Sequence, residues 1–173
     1  MNPTDRADLL ARLEAGRNAL LASVAGMSDA EAAAKPAPDR WSAIGNFEHL
    51  AMVEANLLRR LKEAVPGTGE AVTGREYQLY EALPLRARKV SAPAAVHPTG
   101  ECQSLAEAIA KFDAARGQTV AFVEACDYDP RLCSTKHPLL GDITGMECLF
   151  MIAAHPLRHA AQIRELRGLA AGV

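Results

Sequence analysis

The stretch that decides the fold is Thr144-Gly-Met-Glu-Cys-Leu-Phe-Met-Ile-Ala-Ala-His155-Pro-Leu-Arg-His159-Ala-Ala-Gln-Ile-Arg-Glu-Leu-Arg-Gly-Leu-Ala170. At about 100° per residue, Cys148, Ile152, Ile163, Leu166 and Ala170 fall on one narrow apolar stripe of a helix. Thr144 and Glu147 have the spacing of a capping box and fix where that helix starts. His155 and His159 lie in the middle of the same stripe. Four apart, their rings stand one above the other on one face. Buried imidazoles need polar partners, because unpaired burial is costly. One partner that serves both rings is a shared metal ion; the other reading is two core histidines bonded to carboxylates or backbone.

Working outward, three more long amphipathic segments precede this one. The first begins after Thr4, read as its N-cap, and carries Leu9, Leu10, Leu13, Leu20, Leu21 and Val24 at helical spacing until Gly26. Ser28 and Glu31 form a second capping box for a short helix that Pro36 and Pro38 stop. The second long helix starts at Ser42, buries Phe47, Leu50, Leu57, Leu58 and Leu61, and ends before Pro66. Beside that arc runs a stripe of Asn46, His49, Val53, Asn56 and Arg60, which places His49 at the border of the buried face. Residues from Pro66 to Glu101 lack a clear period, apart from a brief helix over Arg75 to Leu83. A connection this long points to a lid or to a span across the bundle. The third long helix opens with another capping box, Ser104 and Glu107, and buries Leu105, Ile109, Phe112, Val120, Val123 and Cys126. Asp127 to Asp142, with Asp129-Pro130 and Pro138, is a second loop. With no convincing strand pattern, the chain reads as an all-α four-helix bundle with a long connection between helices 2 and 3.

Composition narrows the function. A length of 173 residues suits a single domain over 1–173. The net charge of −2 argues against nucleic acid as a partner, since phosphate binders carry a basic surplus. No stretch is long and apolar enough to span a bilayer, and the N-terminus carries no apolar signal region, so the expected location is cytoplasmic. Cys102, Cys126, Cys133 and Cys148 show no Cys-x-x-Cys spacing and read as reduced thiols. Cys148 is taken as a small core residue.

Three neutral imidazoles from two helices, His49, His155 and His159, would leave positions open on an ion, the arrangement of a catalytic rather than a closed structural site. Trp41-Ser42 followed by Phe47-Glu48-His49-Leu50, then Ala92-Pro93, His137-Pro138 with Gly141, and the late His155-x-x-x-His159-x-x-Gln162-Ile163, resembles the DinB/YfiT superfamily across nearly the whole chain. That resemblance implies a four-helix bundle binding a divalent metal, zinc or nickel, through His49, His155 and His159. It also implies a small-molecule substrate. The activity that the resemblance implies is of thiol S-transferase or isomerase type, with a low-molecular-weight thiol such as bacillithiol or mycothiol, or of metal-dependent hydrolase type. The alternatives are a stress-associated bundle with a structural or vestigial metal, and a plain bundle with satisfied core histidines. Homodimers are common among such proteins, so a homodimer is expected.

One departure is Pro156, directly after His155. It lacks the N–H that Ile152 requires and disfavours helical geometry at His155, so the helix is expected to kink or restart there. Gln162, Asn46 and Asn56 are pocket candidates. Glu48 points about 100° from His49 and is read as solvated or salt-bridged. Trp41 is read as a packing anchor, and His97 and His137 as surface or turn residues.

Overall fold

The computed structural model describes residues 1–67, 74–85, 92–137 and 140–168. Its helices are α1 (Pro3–Val24), α2 (Asp29–Ala33), α3 (Ala43–Glu63), α4 (Arg75–Ala82), α5 (Leu105–Ala125) and α6 (Gly145–Leu166). The expected caps set most boundaries. Ser28 with Glu31 and Thr144 with Glu147 form full capping boxes, and the Ser42 and Ser104 hydroxyls accept from the backbone three residues on. Thr4 is not a cap. Asn2 caps α1 by accepting from the Asp5 N–H, and Pro3 follows as the first helical residue, where its missing N–H costs nothing.

The four long helices form a bundle in which α1 packs on α6 and α5, and α3 packs on α5 and α6. Consecutive α1 and α3 therefore sit across the bundle from one another. Contacts along the helices give their directions. Gly16 meets Ala153 and Arg167 reaches Ser23, so α1 and α6 run the same way. Phe47 meets Phe112 edge-on at 5.9 Å and Glu54 pairs with Arg116, so α3 and α5 run the same way. Asn46 meets His159 while Cys148 lies against Leu57, so α3 and α6 are antiparallel. The order is up, down, down, up. A chain leaving α3 must travel back along the bundle before starting α5, which is why the connection between them is long.

Two elements differ from the sequence reading. The loop after α5 contains an antiparallel hairpin, β1 (Ser134–His137) and β2 (Gly141–Thr144), with Ser134 opposite Thr144 and His137 opposite Gly141. Four-residue strands are too short to show a period of two. Gly141 takes φ +70°, which favours glycine. Pro138, read as a breaker, lies outside the described residues, as do Gly69 of the glycine-bearing stretch after α3 and Ala170 of the final stripe. Further, α6 is not buried on a stripe alone: every residue from Gly145 to Ala154 is buried. The brief helix expected in the long connection forms as α4 and covers the other side of α6, with Tyr77 edge-on to Phe150 at 5.0 Å. Arg12 of α1 lies 4.4 Å from the Tyr80 ring centroid beside it.

Helices α1 and α6 approach closely at Gly16. A Cβ there would stand 2.4 Å from the Ala153 carbonyl oxygen, a backbone atom that cannot swing away. Gly16→Ala is expected to lower unfolding stability by about 1–3 kcal/mol, the usual cost of overpacking, measured as a reduced urea midpoint at unchanged m-value. An unchanged midpoint would mean that α1 and α6 are not in this register.

Candidate metal centre

Antiparallel packing of α3 on α6 brings three histidines together. Ring centroids are 5.2 Å apart for His49 and His155, 5.0 Å for His49 and His159, and 4.6 Å for His155 and His159. One nitrogen from each ring lies within 4.8 Å of the others. The Nε2 atoms of His155 and His159 are 3.0 Å apart. Pro156 does not prevent this, because α6 runs unbroken from Gly145 to Leu166 with the proline inside it.

Two rings are oriented from behind. His159 Nδ1–H donates to Asn46 Oδ1 at 2.6 Å. The Asn46 amide cannot turn round, since its Nδ2 donates to the Ser42 carbonyl at 2.7 Å. Asn46 is fully buried, so this pocket candidate is a bonded partner of the site. His49 Nδ1–H donates to the Val96 carbonyl at 2.7 Å. Both acceptors place the ring proton on Nδ1, which leaves Nε2 with a lone pair facing the cluster.

Glu48 explains how Val96 is held. It is not solvated: its carboxylate is fully buried and accepts from the backbone N–H of Gly100 at 2.9 Å and of Cys102 at 2.7 Å. Burial pushes its pKa up, but the two N–H bonds, together with the Cys102 side chain and the charge of Lys111, hold the carboxyl below its ordinary value. Gly45, one turn earlier, lets Pro98 pack against the same face. Gly45, Glu48 and His49 thus grip one segment, residues 96–102.

Trp41 also does more than anchor the start of α3. Its ring lies 4.5 Å from that of His49, and 6.3 Å from and nearly parallel to that of His159, forming a wall of the site. His97 is exposed, as expected of a turn residue, yet its ring meets Trp41 edge-on at 5.7 Å. His137 is half-buried on β1, close enough for its charge to act on His155. Of the other pocket candidates, Gln162 is half-buried one turn past His159, and Asn56 is exposed two turns along α3 from His49. Cys148 is the core residue expected: burial pushes its thiol up to about 12.

The sequence reading also missed two buried charges, Glu54 of α3 and Arg116 of α5, joined at 2.9 Å. Spacing could have found them. Glu54 continues the buried positions Phe47, Leu50 and Leu57, and Arg116 follows Phe112 by four.

Comparison with known proteins agrees with this architecture. The family model described as the DinB superfamily matches residues 12–163, and the chain belongs to that superfamily. It is similar to the uncharacterized protein YuaE of Bacillus subtilis (strain 168), 24% identical over 142 residues, which are 82% of this chain and 86% of that one. Among solved structures it is similar to TT2238, a four-helix bundle protein, at 25% identity and a TM-score of 0.61, covering 92% of this chain and 98% of that one. It also shares its fold with YfiT from Bacillus subtilis, described as a probable metal-dependent hydrolase with an unusual four-helix bundle topology. That likeness has 16% identity and a TM-score of 0.59 over 98% of this chain and 91% of that one.

Burial lowers the pKa of His49, partly offset by its bond to Val96. Burial, followed by the charges of His49, Arg158 and His137, pushes His155 down to about 3. Both folded values lie below the ordinary 6.5, so the unfolded chain binds more protons. Stability is then lost as pH falls from 6.5 towards about 3. The metal-free protein is expected to show a falling thermal midpoint over that window, and His155→Gln a shallower fall. Parallel curves for the two proteins would refute this charge environment.

Proposed function

We propose that this chain holds one divalent metal ion on His49, His155 and His159 and works as a metal-dependent enzyme on a small-molecule substrate. The observation that carries this is the convergence of three imidazole nitrogens, two of them on rings whose Nδ1–H is already committed to an acceptor. An ordinary pair of core histidines would not need a third ring at the same point. Zinc and nickel are the ions favoured, because neutral imidazole suits both. Among the described residues no fourth His, Cys, Asp or Glu joins the cluster. Structural zinc is nearly always held by four protein ligands, so a three-nitrogen set favours a catalytic site over a structural one.

When bound, such an ion supplies Lewis acidity that lowers the pKa of a nucleophile beside it. The chain's own residues prepare for this. Asn46 and the Val96 carbonyl keep His159 and His49 in the tautomer that offers Nε2. Trp41 shields their flank from water. His155 must turn its Nε2 lone pair inward as well, and its low pKa keeps the ring neutral at physiological pH.

Hydrolase chemistry and thiol transfer or isomerisation both fit this site. The description of YfiT as a probable metal-dependent hydrolase supports the first. In the second, the thiol would come with the substrate: burial pushes the thiols of Cys102, Cys133 and Cys148 up, away from thiolate character.

Protein purified without added metal is expected to carry one equivalent of zinc or nickel, and His159→Ala to carry none. Asn46→Ala should keep the fold and weaken metal binding by about 10–100-fold, as loss of a ligand's hydrogen-bond partner does. Trp41, the single tryptophan, reports binding through its fluorescence. Hydrolysis of model esters and amides, assayed beside thiol conjugation, separates the two chemistries, and chelation should abolish whichever is found. Native protein that binds neither ion, or His159→Ala that binds as well as native, would end the proposal.

A further inference from the structure

Pro156 poses a local problem that the rest of α6 does not. It has no N–H, so the Ile152 carbonyl loses its helical donor, and the ring crowds that same carbonyl. Ile152 and Pro156 are both buried, out of reach of water. An unpaired buried carbonyl costs roughly 1–3 kcal/mol. The donor comes instead from across the bundle: Arg116 Nη2 lies 3.3 Å from the Ile152 oxygen. The same guanidinium donates to the Leu13 carbonyl at 2.9 Å and pairs with Glu54 at 2.9 Å. Gly16 lets α1 close over the place, with Pro156 Cβ 3.7 Å from where its own Cβ would stand.

The residue exposed to this turn is His155. A residue before proline is pushed away from helical geometry. His49 and His159 are each held by an acceptor at Nδ1, whereas the hydrogen bond of His155 is to His159 itself. The aim of His155 therefore depends on its backbone. We infer that Arg116, with Glu54 as its counter-charge, is a positioning residue for His155: its guanidinium stands in for the N–H that Pro156 lacks and holds the turn that points the ring at His49 and His159. This rests on the reading of the three histidines as metal ligands.

The test is a rescue. Removing Arg116 alone would strand a buried carboxylate, so both charges are replaced, in Glu54→Met with Arg116→Met. Exchanging a buried pair for apolar residues of similar volume is often tolerated. Zinc affinity is read by competition with a chromogenic chelator, and folding by circular dichroism and urea melts. The double variant is expected to fold and to bind zinc at least about tenfold more weakly. Adding Pro156→Ala gives Ile152 a helical N–H and should restore native affinity, while Pro156→Ala in the native background should change little. A merely structural role for the pair would lower stability without a metal affinity that returns with the backbone donor. Should the double variant not fold, Arg116→Lys, with and without Pro156→Ala, carries the same expectation of loss and recovery. Affinity that stays native in the charge-deleted protein, or that Pro156→Ala fails to restore, overturns the inference. Native protein that binds no zinc sinks the metal reading and this inference together, whereas native binding with no rescue sinks this inference alone.

Discussion

One buried guanidinium touches all four long helices. Arg116 belongs to α5, donates to Leu13 of α1 and to Ile152 of α6, and pairs with Glu54 of α3. Burying two charges is expensive, and their mutual attraction returns that cost only when the geometry is good. Apolar residues would hold a bundle together as well. What the pair adds is a hydrogen-bonded acceptor on each of two neighbouring helices, the Leu13 carbonyl of α1 and the Ile152 carbonyl of α6. The pair is not saturated either: Arg116 Nε finds no acceptor among the described residues. The metal candidates lie on α3 and α6, close to the residues this pair engages. Glu54 is five positions after His49, and Ile152 three before His155. A slide of either helix by one turn would move a ring by about 5.4 Å, more than the 4.8 Å within which the three nitrogens now lie.

A second constraint acts from outside the bundle. Each of the two rings bonded at Nδ1 answers to an acceptor fixed by something else. Asn46 is turned by the Ser42 carbonyl, and Ser42 in turn caps α3. Val96 belongs to the segment that Glu48 holds by two backbone N–H bonds. The start of α3 thus serves as helix cap, ring orienter and loop clamp within eight residues, 42–49. This is why it is buried almost without relief, Asn46, Glu48 and His49 included.

The bundle and the His155–His159 pair were legible because both follow from spacing, while His49 was joined to them by its place at the border of the buried face and by the family resemblance. Helical periodicity marks the buried stripes, capping boxes mark the starts, and His155 and His159 share a face at any register. What spacing cannot report is what lies over a residue. Glu48 points away from His49, as its angle requires, yet that direction leads under residues 100–102 and not into water. Trp41 precedes α3, so no period assigns it a neighbour. Asn56 shares the stripe of His49, but the stripe leaves the buried region within two turns. Pro156 was ambiguous because the donor that settles it, Arg116, lies on another helix, 36 positions before the Ile152 carbonyl it bonds. Arg116 and Glu54 lay on apolar spacing in plain view, but a charged residue there reads as surface until its partner is known.

The topology itself accounts for the remaining part of the site. Because α3 and α5 run the same way, the chain must return along the bundle between them, and among the described residues of that return, 92–102 carry only one short helical turn, Ala94–Val96. Such a segment carries free carbonyls and amides, which a helix face lacks. Laid over the start of α3, it gives His49 the Val96 carbonyl and gives Glu48 two N–H donors. A simple up-down-up-down bundle would join α3 to α5 by a short turn at the far end, and both groups would be missing. Two adjacent helices are enough to bring three imidazoles together; the parallel pair is what obliges the chain to supply the backbone groups that orient one of them.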